Sequence, residues 1–166
     1  MLNLLFIFSL YSVLGWVLEV LYFFFKSGKY VKRGLLDGPY CPLYGFSIAS
    51  CEMVSKYLNN NLFLMFIVFS IICTAYEFIT ALFFDKILKV KMWDYSNVKT
   101  NLNGYICVKF SLIWGLLSII SVKILNPIFL SNSDKISSVI KALFTIGITS
   151  IIALNAILYQ RTEIKR

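Results

Sequence analysis

Histidine is absent from this 166-residue chain, and charge is scarce: 14% of the residues are Asp, Glu, Lys or Arg. Without histidine there is no histidine-based triad, no HExxH zinc site and little scope for a histidine proton relay. No GxxxxGK[ST] phosphate loop occurs either, so an ATP-driven role needs a second polypeptide. GxGD and paired-glutamate motifs are missing too, which argues against common intramembrane protease chemistry. The four cysteines, Cys41, Cys51, Cys73 and Cys107, have no CxxC spacing. Each lies within or at the edge of an apolar run and reads as a small buried hydrophobe, with thiol chemistry the lesser alternative. No metal and no cofactor is expected.

What the chain has in abundance is apolar surface: 59% of its residues are hydrophobic and its mean hydropathy is +0.79. Soluble domains run nearer about 45–50% apolar and about 25% charged, so this balance belongs to the membrane class. A helix crossing a hydrocarbon core of about 30 Å needs about 20 residues, so four to six spans use most of the chain. No room is left for a separate soluble domain. Five apolar runs stand out, at roughly residues 2–25, 40–58, 62–84, 105–125 and 136–159. They predict an all-α polytopic bundle of about five transmembrane helices, forming one transmembrane domain over residues 1–166.

The first run has no preceding lysine or arginine and no small-residue cleavage site, so it reads as a retained helix and not a secretory leader. Pro39 and Pro42 suit the start of the second helix. Asn59, Asn60 and Asn61 make an uncharged turn, and Asn126-Pro127 with residues 131–134 make the last one. Asn101 and Asn103 read as caps of the fourth helix. Gly15, Gly45 and Gly115 fall in helix interiors, where small residues let neighbouring backbones approach.

The formal charge of +8 is concentrated between the runs, where membrane orientation and anionic lipid explain it better than nucleic acid does. One side collects Lys26, Lys29, Lys32, Arg33, Lys86, Lys89, Lys91, Lys99, Lys109, Arg161, Lys165 and Arg166; the other has Lys56, Lys123, Lys135 and Lys141. Twelve against four places the richer side, and the C-terminus, in the cytoplasm, and the N-terminus outside.

Glu19 and Glu77 do not belong in lipid. A charged carboxylate at a helix centre costs roughly 2.5–3.5 kcal/mol, and each surrounding Leu, Ile, Val or Phe returns about 0.3–0.6 kcal/mol. The helices therefore insert, yet the carboxylates need partners or a proton. Helical spacing puts Ser12, Trp16 and Glu19 on one face of the first run and Thr74, Glu77 and Thr80 on one face of the third. Two polar stripes at matching depth point to an inward-facing polar pocket in the cytoplasmic half. One reading pairs the acids with basic residues near the boundary, Arg33 foremost. A second makes them a substrate, cation or proton site, and a third leaves them neutral and lipid-facing. Glu52 has Lys56 one turn on, so an i,i+4 pair accounts for it. The linker residues Trp93, Asp94, Tyr95 and Ser96 read either as an interfacial anchor or as a lid or docking loop, with Asp94 bonding Arg33 or a ligand.

Taken in order, Tyr11-Ser12, Gly15-Trp16 and Glu19, Arg33-Gly34, Gly38-Pro39-Tyr40-Cys41-Pro42-Leu43-Tyr44-Gly45, Tyr76-Glu77 with Thr80, and Trp93-Asp94-Tyr95-Ser96 form a recognisable set. Asn101 with Gly104, Ile106-Cys107, Ser111 and Trp114-Gly115 complete it. The set resembles the putative ABC-transporter type IV family, small bacterial multi-pass, permease-like proteins, over roughly residues 9–118. The chain departs from that pattern at Lys32 (usually Asn), Ala81 (usually Gly) and Tyr105 (usually Arg), and Glu52 falls outside it. The resemblance implies a membrane transport component of the bacterial inner membrane, working as a homo-oligomer or with a separate ATPase subunit in the lipid bilayer. Glu19 and Glu77 would then form the polar site, Arg33 would neutralise or gate it, and residues 93–96 would close or couple it. The alternatives are a membrane enzyme acting on a lipid-linked substrate at the inner leaflet, with Asp94, Glu19 or Glu77 as acid or base, and a non-catalytic membrane scaffold.

Overall fold

The computed structural model of the chain describes residues 2–30, 38–135 and 138–164. Helix α1 (Leu2–Ser27) is apolar over its whole length and stops at Gly28. That residue takes φ +68°, which lets its N–H close on the Phe24 carbonyl at 2.8 Å. Helix α2 (Pro42–Ser55) starts on a proline, whose missing N–H costs nothing in a first turn. The three-asparagine turn follows. Asn59 and Asn60 take positive φ, and the Asn61 side chain caps α3 (Leu62–Leu82) by accepting the Leu64 N–H at 3.1 Å.

Helix α3 runs on through a π-helical turn, Phe83–Ile87. A two-stranded antiparallel hairpin then pairs β1 (Asn101–Leu102) with β2 (Ile106–Cys107), with Asn101 opposite Cys107 and Leu102 opposite Ile106. Helix α4 (Val108–Ile120) passes through a second π-helical turn, Ser121–Leu125, directly into α5 (Asn126–Lys135). Helix α6 (Ser138–Ile164) closes the described chain.

The turn expected at Asn126-Pro127 is therefore helix. In an α-helix the Pro127 ring would collide with the carbonyl four residues back. Here the Asn126 N–H reaches the Ser121 carbonyl, five residues back, and this wider turn just ahead of the proline gives the ring its space. The run expected over residues 40–58 is helical over only 14 residues.

The fold is all-α and of the membrane class. Among the described residues, four helical stretches are long and apolar enough to cross a bilayer: Leu2–Ser27, Leu62–Ile87, Val108–Ser133 and Ser138–Ile157. Helix α2 adds a shorter fifth. Their outer faces carry exposed apolar side chains such as Phe63, Ile71, Ile79, Leu116 and Leu143, as a lipid solvent requires. Helical hydroxyls turn inward to their own backbone: Ser9 donates to the Leu5 carbonyl, Ser12 to Phe8 and Thr145 to Lys141. Each satisfies a polar group that lipid cannot.

The chain divides into two units, residues 1–45 with 133–166 and residues 46–132. In the first, α1 packs against α6. In the second, α3 packs along α4, and Cys51, Leu58, Met65, Phe69, Cys73 and Val122 form an apolar core.

Candidate functional site

In the first unit, the segment leading into α2 is laid against one face of α1. The Cys41 N–H donates to the Ser12 carbonyl at 2.7 Å. Gly45 lies so close that a Cβ there would meet the Phe8 carbonyl and the Ser12 Oγ, each at 2.4 Å. The Tyr44 ring covers Gly15, where a Cβ would sit 2.3 Å from the Tyr44 Cγ. Lying flat on Gly15, Tyr44 reaches one turn further along α1 and its hydroxyl donates to Glu19 Oε1 at 3.1 Å. Ser12, Gly15 and Glu19 are thus successive rungs of one helical face, with Trp16 half-buried beside them. Tyr40 is fully buried, and its hydroxyl accepts from the Asn155 side chain of α6.

The second unit holds Glu77 in the C-terminal part of α3, only 5% exposed. The Tyr95 hydroxyl donates to its Oε1 at 2.9 Å. The linker between α3 and α4 brings Tyr95 there by a set of local bonds. The Tyr95 N–H donates to the Gly104 carbonyl at 2.9 Å. Asn101 ties the loop together, its Oδ1 accepting the Gly104 N–H at 2.8 Å and its Nδ2 donating to the Val98 carbonyl at 2.6 Å. Asp94 Oδ1 accepts both the backbone N–H (2.9 Å) and the hydroxyl (2.5 Å) of Ser96, and its Oδ2 accepts from Lys91 at 2.7 Å. Lys91 first and Ser96 second hold the Asp94 carboxyl well below the usual carboxylate range.

Aromatic packing seats the same loop. The Trp93 Nε1 donates to the Tyr105 carbonyl at 2.8 Å, and its ring meets Phe84 edge-on. The Tyr95 ring stacks on Phe110 at 5.0 Å, and Phe110 in turn on Trp114. The Tyr105 hydroxyl donates to Asp85 at 2.7 Å, which raises its titration above the ordinary tyrosine value. Thr80 lies half-buried one turn beyond Glu77.

Arg33, named as the partner of the carboxylates and of Asp94, lies outside the described residues. Asp94 bonds Lys91 and Ser96. Two expectations change. Asn101 and Asn103 shape the hairpin and do not cap α4, whose first turn follows Cys107 with no side-chain cap. Glu52 is bonded to Asn126, its Oε2 accepting from the Asn126 Nδ2 at 2.7 Å, and it makes no ion pair with Lys56. Sequence reasoning missed the two tyrosine hydroxyls as partners of the intramembrane acids. The available signals were a glycine one turn before Glu19, which leaves room for a ring, and a tyrosine in the segment that follows each acid, Tyr44 after Glu19 and Tyr95 after Glu77.

Chemically, both acids accept a neutral hydroxyl donor contributed by a separate segment of chain. Such a bond tolerates the charged carboxylate; displacing the donor segment would break it and leave a group that needs a proton or a cation.

A family model described as putative ABC-transporter type IV matches residues 6–159, extending well past the last motif at Gly115 to include most of α6. No curated protein and no solved structure matches the chain.

Proposed function

The chain belongs to the putative ABC-transporter type IV family, and from that premise we propose that it is the membrane-embedded, permease-like subunit of a transport system powered by a separate ATPase. Glu77 is its polar site, and the loop carrying Trp93, Asp94, Tyr95 and Ser96 is its coupling element. The observation that carries this reading is the 2.9 Å bond from Tyr95 to Glu77. It ties a carboxylate inside an apolar helix to a loop outside the span, so force applied to the loop is felt at the acid. The loop and its flanks hold Lys86, Lys89, Lys91, Lys99 and Lys109, and the positive-inside rule puts that cluster in the cytoplasm, on the side of an ATP-hydrolysing partner. Ser12, Trp16 and Glu19 form a second polar stripe, held by Tyr44 within its own unit.

Mild-detergent affinity purification from native bacterial membranes tests the reading. An ATPase subunit of the ABC type should co-purify in stoichiometric amount. It should be lost on charge reversal of the exposed lysines, Lys89→Glu with Lys99→Glu, at unchanged membrane levels of the chain. Recovery of the chain by itself overturns the assignment.

A further inference from the structure

Glu52 takes no part in the transport reading above. It is a half-buried carboxylate on α2, next in sequence to Cys51, whose side chain is wholly buried in the apolar core that also takes in Val122. Among the described residues no lysine or arginine lies within ion-pair distance of it. Its bonded neighbour is Asn126, 1% exposed, whose Nδ2 donates to Oε2 at 2.7 Å. The other end of that amide is the anomaly. Asn126 Oδ1 is buried and has no hydrogen-bond partner among the described residues. A buried amide oxygen without a donor is costly, and a partly buried carboxylate beside it that lacks a counter-charge adds to that cost.

The backbone adds a third oxygen source. Asn126 closes the π-helical turn Ser121–Leu125, its N–H taken by the Ser121 carbonyl. The next residue, Pro127, has no N–H to offer, so the carbonyls of Val122 and Lys123 are one helical donor short. Single π-turns inside α-helices are frequent at functional sites, and carbonyls freed by broken transport helices are ones that coordinate alkali cations.

We infer that Glu52 and Asn126, with a carbonyl freed by the π-turn and Pro127, bind a sodium ion. The donors are all hard oxygens, which excludes soft thiophilic metals. One carboxylate balances one positive charge, whereas a divalent ion would leave a net charge buried against the apolar core. The ion links α2 to the α4–α5 junction and supplies the counter-charge that Glu52 lacks.

Detergent-purified full-length protein is melted, with tryptophan emission as the signal, in NaCl, KCl and choline chloride of equal ionic strength. Sodium should raise the Tm by about 3 °C or more over choline, and the shift should vanish in Glu52→Gln and in Asn126→Leu. Equal Tm in all three salts overturns the inference. So does a sodium shift that survives Glu52→Gln, or a Tm that follows pH identically in every salt, which would mean that Glu52 holds a proton on Asn126 Oδ1. Should a variant fail to give monodisperse protein, binding of radioactive sodium to the wild type decides. Saturable uptake of about one ion per chain supports the site, and no binding above the choline background removes it.

Discussion

Tyr95 contributes one hydroxyl to a carboxylate that is nearly sealed from solvent, and the energy at stake there is set by charge and burial together. A hydrogen bond to a charged group is worth about 1.5–3 kcal/mol, and its loss also strands the acceptor. Tyr95→Phe should therefore lower the Tm in detergent by about 4 °C or more. Glu77→Gln keeps an acceptor for the same hydroxyl and should cost less. The double variant should fall short of the sum of the two, because one single removes this interaction and the other weakens it; strict additivity in a thermal-melt cycle would show that Tyr95 and Glu77 do not act as a pair. Steric fit can be tested as sharply in the first unit. Gly15→Ala pushes a methyl into the Tyr44 ring, at 2.3 Å from its Cγ, and overpacking of this kind costs about 1–3 kcal/mol. The same change at Gly147, where a Cβ meets nothing within 4 Å, should stay within about 0.5 kcal/mol. Comparable melting temperatures for the two variants would mean that Tyr44 does not rest on α1.

At the scale of elements, the α3–α4 linker is held by short-range polar bonds, with Gly104 as its tightest point. Gly104 has φ +73°, and a Cβ there would fall 2.6 Å from the Ser96 Oγ and 2.7 Å from Asp94 Oδ1. Gly104→Ala is disfavoured both by backbone conformation and by space, so it should open the loop while leaving the helices in place. Trypsin then cuts at Lys91 and Lys99 at least several-fold faster than in the wild type, with α-helical circular dichroism unchanged; equal digestion would refute the account of the loop. Acid should do the same reversibly. Because the Asp94 carboxyl titrates below its unfolded value, its contribution is present above the ordinary aspartate range near about 3.9 and is lost as pH falls through that range and below. Amide exchange across residues 93–105, corrected for intrinsic rate, should hold steady from neutral pH to about 5 and quicken only under about pH 4. These details also mark what the sequence could reveal. Apolar length and the Asn59-Asn60-Asn61 turn are properties of composition and local propensity, so the membrane class and the start of α3 are readable without coordinates. Glu19, Glu77 and the 93–96 loop could be singled out because charge and interfacial aromatics are anomalous in such a chain. Their partners could not, since the Tyr44–Glu19 contact joins residues 25 apart and Asn126–Glu52 joins residues 74 apart, and no local pattern encodes that pairing. Pro127 misled the reading for a related reason: proline marks a helix break by default, and only the wider turn ahead of it shows the break was absorbed.

For the whole molecule, the arrangement in the bilayer turns on α2. Fourteen helical residues reach about 21 Å, short of a hydrocarbon core of about 30 Å. The stretch ahead of the helix can supply the remainder, because non-helical backbone is tolerated at membrane depth where protein covers it. The Cys41 N–H is satisfied by the Ser12 carbonyl, and Tyr40 is buried. If α2 crosses, Lys26, Lys29, Lys32 and Arg33 share the cytoplasm with Lys89, Lys91 and Lys99, and the charge asymmetry of the chain is kept at every loop. If it does not, one of these two basic clusters must face outward. Alkaline phosphatase, active only outside the cytoplasm, separates the two cases when fused after Lys29 and, in a second fusion, after Asn60. A crossing α2 should give an inactive first fusion and an active second one, while a fluorescent protein fused at the C-terminus lights up. Activity in both phosphatase fusions would leave α2 lying against the outer face, with the first basic cluster on the wrong side of the membrane for any cytoplasmic partner. The 88–104 loop would then be the remaining surface between spans on which an ATPase could act.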